Sequence, residues 1–526
     1  MTYDHRLVAK GKRFAVRKAF LGLPLLLAVP VLFAARAQAQ TAAAHTNSTA
    51  PPKNTTQTCV RSEKNRAAPI AAVSCCQTDS TSAPDPPAPS VDHISETTST
   101  TNPREASELR GMWVVCDSLG SPASVHQIVV TAKKYHLNAL FVQVRSRGDA
   151  WYNSPYEPRA EHLAGQPADF DPLTQIVDEC HASNIQVHAW LNTYLTWSKS
   201  RRPLSQKHLW NAHPDWFAHD RNGNLSTANN DDCEGVFLQP SSPDVQQHLF
   251  KVFTDVAARY DVDGIHFDYV RYPNSGYDFS SGTLARFREH MKEQLAPEQI
   301  AHFDAASRSD SKAYVHAFSS QWESWRRAQV TNLVTQIATE VKLNKPWMQV
   351  SAAVFPDGED ARKYRGQDWM GWLRSGTLDA VALMAYDKNT AHVAEQTRKA
   401  VAIAGERHVY AGIGAWRLDA HDVAQKVAAV RKAGASGVNL FCYDDVHYRR
   451  HYLDTLARGV FSSRSAPPRM RWLPSRGGVI DRSNGAQKGK TDKNEASDTH
   501  SESHADASPN HTPDNQKRAE KQKGVH

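Results

Sequence analysis

Between residues 107 and 461 the chain alternates, eight times over, a short apolar run with a segment of helical pattern. The runs are 111–116, 139–144, 186–191, 264–267, 349–354, 380–385, 408–413 and 437–442. Each is too short for a helix and apolar enough for a strand covered on both faces. The clearest helical segment is 242–260. It offers Ser242 as N-cap, Pro243 at the first helical position, and one apolar face made of Val245, Leu249, Val252, Phe253 and Val256. Another, 423–433, is stopped by Gly434. Strands joined by helices run parallel, because a parallel pair needs a long crossover. Eight such units predict an α/β fold, a (β/α)8 TIM barrel. A doubly wound open sheet is the alternative. It fits less well because no Gly-rich phosphate loop follows the first strand.

The flanks read differently. Arg6, Lys10, Lys12, Arg13, Arg17 and Lys18 precede an apolar run from Ala19 to Ala35. Ala37-Gln38-Ala39 then offers a small-x-small cleavage site before Gln40. Residues 1–39 are therefore expected to be a signal peptide, leaving no stable membrane span after cleavage and a periplasmic or secreted bacterial protein. An uncleaved anchor is the other reading of the same run. Residues 40–106 are rich in Ser, Thr, Ala and Pro, and 462–526 in Lys, Asp, Ser, Asn and His. Both are expected to be disordered tails around the 107–461 barrel. Seven cysteines, an odd number without CxxC spacing, argue against a zinc ribbon or a disulfide scaffold. Cys116 and Cys442 fall in predicted strands, where a buried thiol is the usual state. The net charge of +7 is shared with the signal and the tail, and no basic stripe with interleaved aromatics supports nucleic-acid binding.

In a barrel, the C-terminal strand ends carry the chemistry. The fourth run ends in Asp268 and continues Tyr269-Val270-Arg271-Tyr272-Pro273. Such a carboxylate among aromatic and basic neighbours suits acid–base or nucleophilic work on a sugar. Its bland alternatives are a helix N-cap and an ion pair with Arg271. The other ends offer Asp117; Arg145 and Arg147; Trp190 and Asn192; Asp357, Glu359 and Asp360; Tyr386 and Asp387; Trp416; and Asp444 with Asp445. Glycoside hydrolysis needs two carboxyl groups, aromatic faces for pyranose rings, and planar donors for hydroxyls. The catalytic candidates are Asp268 with Asp387 or Asp357 as partner. Arg145, Trp190, Asn192, Arg271, Tyr272, Tyr386 and Trp416 are the expected substrate contacts. Asp357, Glu359 and Asp360 could instead form a solvated loop that caps a helix near Asp368, Asp387 could cap one beginning near Thr390, and Arg145 and Arg147 could pair with Asp149 or Glu157. Long loops after strands three and four, 192–240 and 270–311, would build a groove for an extended polymer. His213, Asp215, His219 and Asp220 fit no zinc motif, so neither metal nor cofactor is expected.

Several segments, in order, resemble the glycosyl hydrolase-like 10 family. They are Glu108-Leu109-Arg110-Gly111-Met112-Trp113, Val187-His188-Ala189-Trp190-Leu191-Asn192, His213-Pro214-Asp215-Trp216, the stretch from Asp261 to Tyr269 with Arg271-Tyr272-Pro273, and Tyr410-Ala411-Gly412-Ile413-Gly414-Ala415. The likeness covers nearly all of the core and neither tail. It implies an exported (β/α)8 glycoside hydrolase acting on a bacterial glycan, peptidoglycan strands foremost, since that family includes a peptidoglycan glycosidase of the division machinery. The sequence departs from the family after strand five, where Val354-Phe355-Pro356-Asp357 replaces a Pro-Phe-Gly type stretch. A glycan-binding barrel without turnover, or a metal-dependent polysaccharide deacetylase, are the competing functions.

Overall fold

The computed structural model describes residues 107–227 and 233–476. The expected signal peptide, the Ser/Thr-rich linker and most of the charged tail lie outside the described residues. Eight parallel strands close into a barrel: β1 Leu109–Val114, β2 Ala139–Arg145, β3 Gln186–Asn192, β4 Gly264–Asp268, β5 Gln349–Val354, β6 Ala380–Met384, β7 His408–Gly414 and β8 Gly437–Phe441. Each strand coincides with a predicted run, and β1 closes on both β2 and β8. Cys116 and Cys442 sit just past their strands rather than within them, and both are buried thiols.

Side-chain alternation sorts every strand into two layers. Ile265, Phe267, Val350, Ala352, Val381, Leu383, Val409 and Ile413 pack outward against the helices. Trp113, Phe141, Trp190, Ala353, Ala382, Tyr410 and Phe441 fill the barrel. His266 and Asp268 have the opposite parity to Ile265 and Phe267, so both point inward. The β3–β4 register sets Asn192 beside Asp268 and Trp190 beside His266. Below the mouth the interior is polar. His266 lies between Ser351 Oγ at 2.9 Å and the Trp113 indole at 3.3 Å, while Phe141 stacks on His188 with centroids 4.5 Å apart. Burial depresses the pKa of both histidines, to about 4 for His188, so both are neutral. Gly412 makes room for this layer: a Cβ there would lie 2.9 Å from the Trp113 ring and closer still to the Leu383 carbonyl.

The helices follow their sequence signals. Pro243–Arg259 is capped by Ser242 and buries the predicted face. Ala420–Lys432 begins at an Asp419 cap, three residues ahead of the predicted start, because that side chain accepts the Asp422 amide. After β3 the chain forms a small antiparallel ribbon, Leu195–Trp197 with Val236–Phe237. After β4 come three short helices, Ser281–Lys292, Pro297–Ala306 and Ala313–Ala317. They share a mini-core of Phe279, Phe287, Met291, Tyr314, Val315 and Trp322. Both long loops therefore stand on the C-terminal face, as expected. Among the described residues no helix is long and apolar enough to cross a membrane.

The folded part passes Phe461. Residues 462–476 run across the N-terminal end of the barrel instead of starting a tail. Asn138 donates to the Ser465 carbonyl at 2.8 Å, and the Trp472 indole donates to Asp379 at 2.7 Å under the Arg407 guanidinium. Met470 is buried against the barrel interior, and Arg476 pairs with Asp263 at 3.2 Å. Polar composition hid this segment, whose few apolar side chains meet partners distant in sequence. Ending the chain after Phe461 should destabilise the barrel by on the order of 3 kcal/mol, the worth of covering its base with two large apolar side chains. The check is a urea titration of both forms; equal midpoints would remove the segment from the fold.

Candidate active site

Asp268 ends β4 and turns its carboxyl group into the mouth of the barrel. Tyr269 follows in the left-handed region, φ +47°, which folds the chain back at once. Its amide donates to Asp268 Oδ1 at 2.7 Å, and the Trp190 indole donates to Oδ2 at 3.1 Å. Burial dominates the electrostatics and raises the pKa of Asp268 to about 6. The Tyr269 amide, Arg271 and the Trp190 indole pull the other way, and the charge on Glu234 adds to the rise. A carboxyl group tuned in this way holds a proton at mildly acidic pH and can give it up near neutrality.

Aromatic rings surround it. Tyr386 after β6 meets Trp416 edge-on at 4.9 Å, and both rings contact Phe441 at 5.6 Å. Tyr386 also reaches Trp113 at 6.4 Å. Burial and the Asp268 charge push the phenol of Tyr386 well above its ordinary value, so it stays a neutral hydrogen-bond donor. Tyr386 and Trp416 are half-buried at the mouth.

The other expected contacts are turned inward. Trp190 is only 2% exposed; it serves Asp268 through its N–H and offers no open stacking face. Asn192 accepts from Trp190 at 3.2 Å and from Gln143 at 3.3 Å, and donates to the Ser146 carbonyl at 2.8 Å. Its hydrogen bonds brace Trp190. Arg145 has no exposed side-chain surface and is gripped by Glu157, the alternative the sequence had left open. Arg271 is buried against Glu234 at 2.8 Å and over the Tyr269 ring at 4.8 Å. Tyr272 is buried and donates to the Arg326 carbonyl at 3.3 Å. A strand-end position says which end of the barrel a residue serves, but long-range partners decide whether it keeps any surface.

The two expected partners of Asp268 are held by their own loops. Asp357 is exposed and caps the helix Gly358–Arg365, accepting from the Glu359 and Asp360 amides. Asp387 accepts from the Asn389 amide at 2.9 Å and meets His392 at 2.9 Å, while Asn389 caps the helix Thr390–Ala404. The structure instead brings Glu234 into the field of Asp268, with Arg271 ion-paired to it. Oε1 of Glu234 faces Arg271, and Oε2 is buried without a hydrogen-bond partner among the described residues. Glu234 lies deep in the loop after β3, so a survey of strand ends passes over it. Asp444, after β8, is a half-buried carboxyl group raised to about 6 by desolvation; it accepts from the Val115 amide and from Ser118. The histidines of the post-β3 loop do not converge: His213 stacks on Trp216 and His219 bonds the Phe217 carbonyl. Among the described residues no three His, Cys, Asp or Glu side chains form a cluster able to hold a metal ion.

A closed parallel barrel with a carboxyl group among aromatic rings at its C-terminal mouth is glycosidase architecture. The catalytic domain of β-amylase from Paenibacillus polymyxa shares the fold. Its TM-score is 0.50 at 11% identity, over 68% of this chain and 99% of that one. The chain belongs to the glycosyl hydrolase-like 10 family, whose sequence profile matches residues 108–427. It is 28% identical over 276 residues to glycosyl hydrolase YngK of Bacillus subtilis strain 168, covering 48% of this chain and 47% of that one. It thus spans about half the length of that relative. Glycosyl hydrolase DigH of Escherichia coli strain K12 is 24% identical over 335 residues, covering 54% of this chain and 67% of that one.

Proposed function

We propose that the protein is an exported glycoside hydrolase that cleaves a bacterial glycan, peptidoglycan strands foremost, with Asp268 as general acid. The observation that carries this reading is the Asp268 carboxyl group, buried at the barrel mouth, raised to about 6 and held by the Trp190 indole. In its protonated form it donates to the glycosidic oxygen as the bond to the anomeric carbon breaks. The second carboxylate of the reaction is Glu234, ion-paired with Arg271. It either attacks the anomeric carbon or takes the proton of the incoming water. Tyr386 and Trp416 stack on the sugar. Family membership supports the hydrolase class, and the basic–apolar–small order of the first 39 residues supports export. Neither metal nor cofactor enters the scheme.

The test incubates the full chain with peptide-free peptidoglycan strands and with exopolysaccharides, with and without a chelator, and measures new reducing ends and released acetate. Chelator-insensitive reducing ends are expected from the glycan strands. Retained glycan without cleavage would replace the hydrolase by a binding barrel, and chelator-sensitive acetate by a deacetylase. Glu234→Gln should cut kcat by about a hundredfold or more, the usual worth of a positioned acid–base group, while Asp387→Asn stays close to wild type. The reverse ranking would return the partner role to Asp387.

A further inference from the structure

The two long loops line a cavity of about 450 Å³ whose lining does not include Asp268. That is a size suited to a small ligand, for which ~300–1,000 Å³ is usual. One wall is the 221–223 turn of the post-β3 loop, and the other is built by the helices after β4. Phe279 and Tyr314, both buried, form its apolar lining. Arg221, Arg288 and Lys312 line it, and among the described residues no carboxylate does. Arg288 is balanced by Asp304 at 2.8 Å. The Arg221 guanidinium stacks on the Phe279 ring at 4.3 Å, and Lys312 Nζ meets only the Arg221 carbonyl, at 3.4 Å. Arg221 and Lys312 therefore face the cavity outside any ion pair among the described residues, with the Asp310 carboxylate in the field of Lys312.

The cavity is built rather than incidental. Asp278 is completely buried between the loops and accepts from the His219 and Ser280 amides at 3.0 and 2.9 Å. The Phe279 amide in turn donates to the His219 carbonyl at 2.8 Å. These bonds latch one loop to the other and hold the cations and aromatic rings in place before any ligand arrives. Preorganisation of this kind spares a ligand the cost of ordering the loops.

We infer that this cavity is a distal subsite for a carboxylate-bearing saccharide unit of the glycan bound at the barrel mouth, with Arg221 and Lys312 taking the carboxylate. The inference rests on the glycan reading of the mouth. A pyranose offers hydroxyls to the Ser281, Ser307 and Ser311 side chains that also line the cavity. A carboxylate on that ring answers Arg221 and Lys312. The lactyl ether of a peptide-free peptidoglycan strand and a uronic acid residue both carry this chemistry.

The experiment uses the full chain with Asp268→Asn, to prevent turnover. Affinity is measured for peptide-free peptidoglycan strands, for the same strands after reduction of their carboxyl groups, and for a polyuronate. Each is repeated after adding Arg221→Ser and Lys312→Ser, two substitutions at the surface. Acidic strands should bind more tightly than reduced ones, and the double substitution should weaken acidic binding by about tenfold, as loss of charge-assisted bonds does, without changing binding of the reduced strands. Tighter binding of strand or polyuronate names the source of the carboxylate. Equal affinity for acidic and reduced strands, or equal losses on both, overturns the subsite. Failure of the otherwise wild-type chain to cleave any glycan, with the charge-dependent binding intact, would overturn the hydrolase reading and leave the subsite standing.

Discussion

Asp268→Asn should lower kcat/KM by about 10³-fold while making the barrel harder to unfold above neutral pH; positioned general acids are worth ~10²–10⁴. Asn keeps the shape of the side chain, and its single Oδ1 accepts from the Tyr269 amide or the Trp190 indole but not from both, so one of the two bonds that hold Asp268 is kept. What it lacks is a proton that can leave. The pH dependence fixes the sign of the stability change. Burial raises the folded pKa of Asp268 from 3.8 to about 6. A carboxyl group shifted upward favours folding in its neutral form. That contribution is fully present below 3.8 and is lost as pH rises through about 6. The wild-type barrel therefore carries a buried charge at pH 8 that the Asn variant does not, a difference on the order of 3 kcal/mol for a shift of roughly two units. Calorimetry at pH 8 and pH 3.5 should show a higher Tm for the variant at pH 8 and near-equality at pH 3.5. The wild-type pH–rate profile should lose its acid-requiring form above about 6. Undiminished cleavage by Asp268→Asn would remove the residue from catalysis, and a Tm gain independent of pH would remove burial as the cause of the shift.

Glu157→Gln should be the most destabilising conservative change at the barrel mouth, by ~3–5 kcal/mol, the usual cost of leaving one member of a buried ion pair without its partner. Arg145 and Glu157 have no exposed side-chain surface, and the guanidinium meets both carboxylate oxygens, Nε at 2.8 Å from Oε2 and Nη2 at 2.7 Å from Oε1. The same guanidinium holds the carbonyls of Asn192 and Thr193, at the end of β3. Loss of its counter-charge thus loosens the strand that presents Asn192 and Trp190 to Asp268. Attraction to Arg145 and hydrogen bonding from His248 outweigh burial and hold the Glu157 pKa near 2, against 4.5 in the unfolded chain. This contribution is present above 4.5 and is lost as pH falls through about 2. Urea unfolding at pH 7 should show the loss, and the gap between variant and wild type should narrow towards pH 2. A change below about 1 kcal/mol at pH 7 would mean that the pair is exposed to water in solution. Replacing both members by Met should recover much of the stability, because well-packed apolar groups need no counter-charge.

The distinction between these two carboxyl groups was not visible from neighbouring residues. Asp268 was legible because strand alternation is local: once Ile265 and Phe267 face the helices, residue 268 must face the barrel. Tyr386 and Trp416 were legible for the same reason, being carried past strand ends at the mouth. Arg145, Asn192, Arg271 and Tyr272 also follow or end strands, yet each is buried against a partner from another loop or helix. Asp357 caps a helix, but it is Gly358–Arg365, directly after it; the helix expected near residue 368 is capped by Asp368 itself. Glu234 gave no local signal, since its ion-pair partner Arg271 lies 37 residues further along the chain.

By itself the sequence determined the layered part of the protein: eight strands, the helices between them, the place of Asp268 at a strand end, and loops on one face long enough to build a cleft. These follow from side-chain periodicity and helix-end chemistry, which act over a few residues. Tertiary structure alone decided which polar groups keep water and which lose it. The indole that holds Asp268 comes from 78 residues away, and the base of the barrel is covered by residues 462–476, beyond the last predicted helix. Burial and long-range charge set the protonation of a carboxyl group, and neither is a property of its neighbours in sequence.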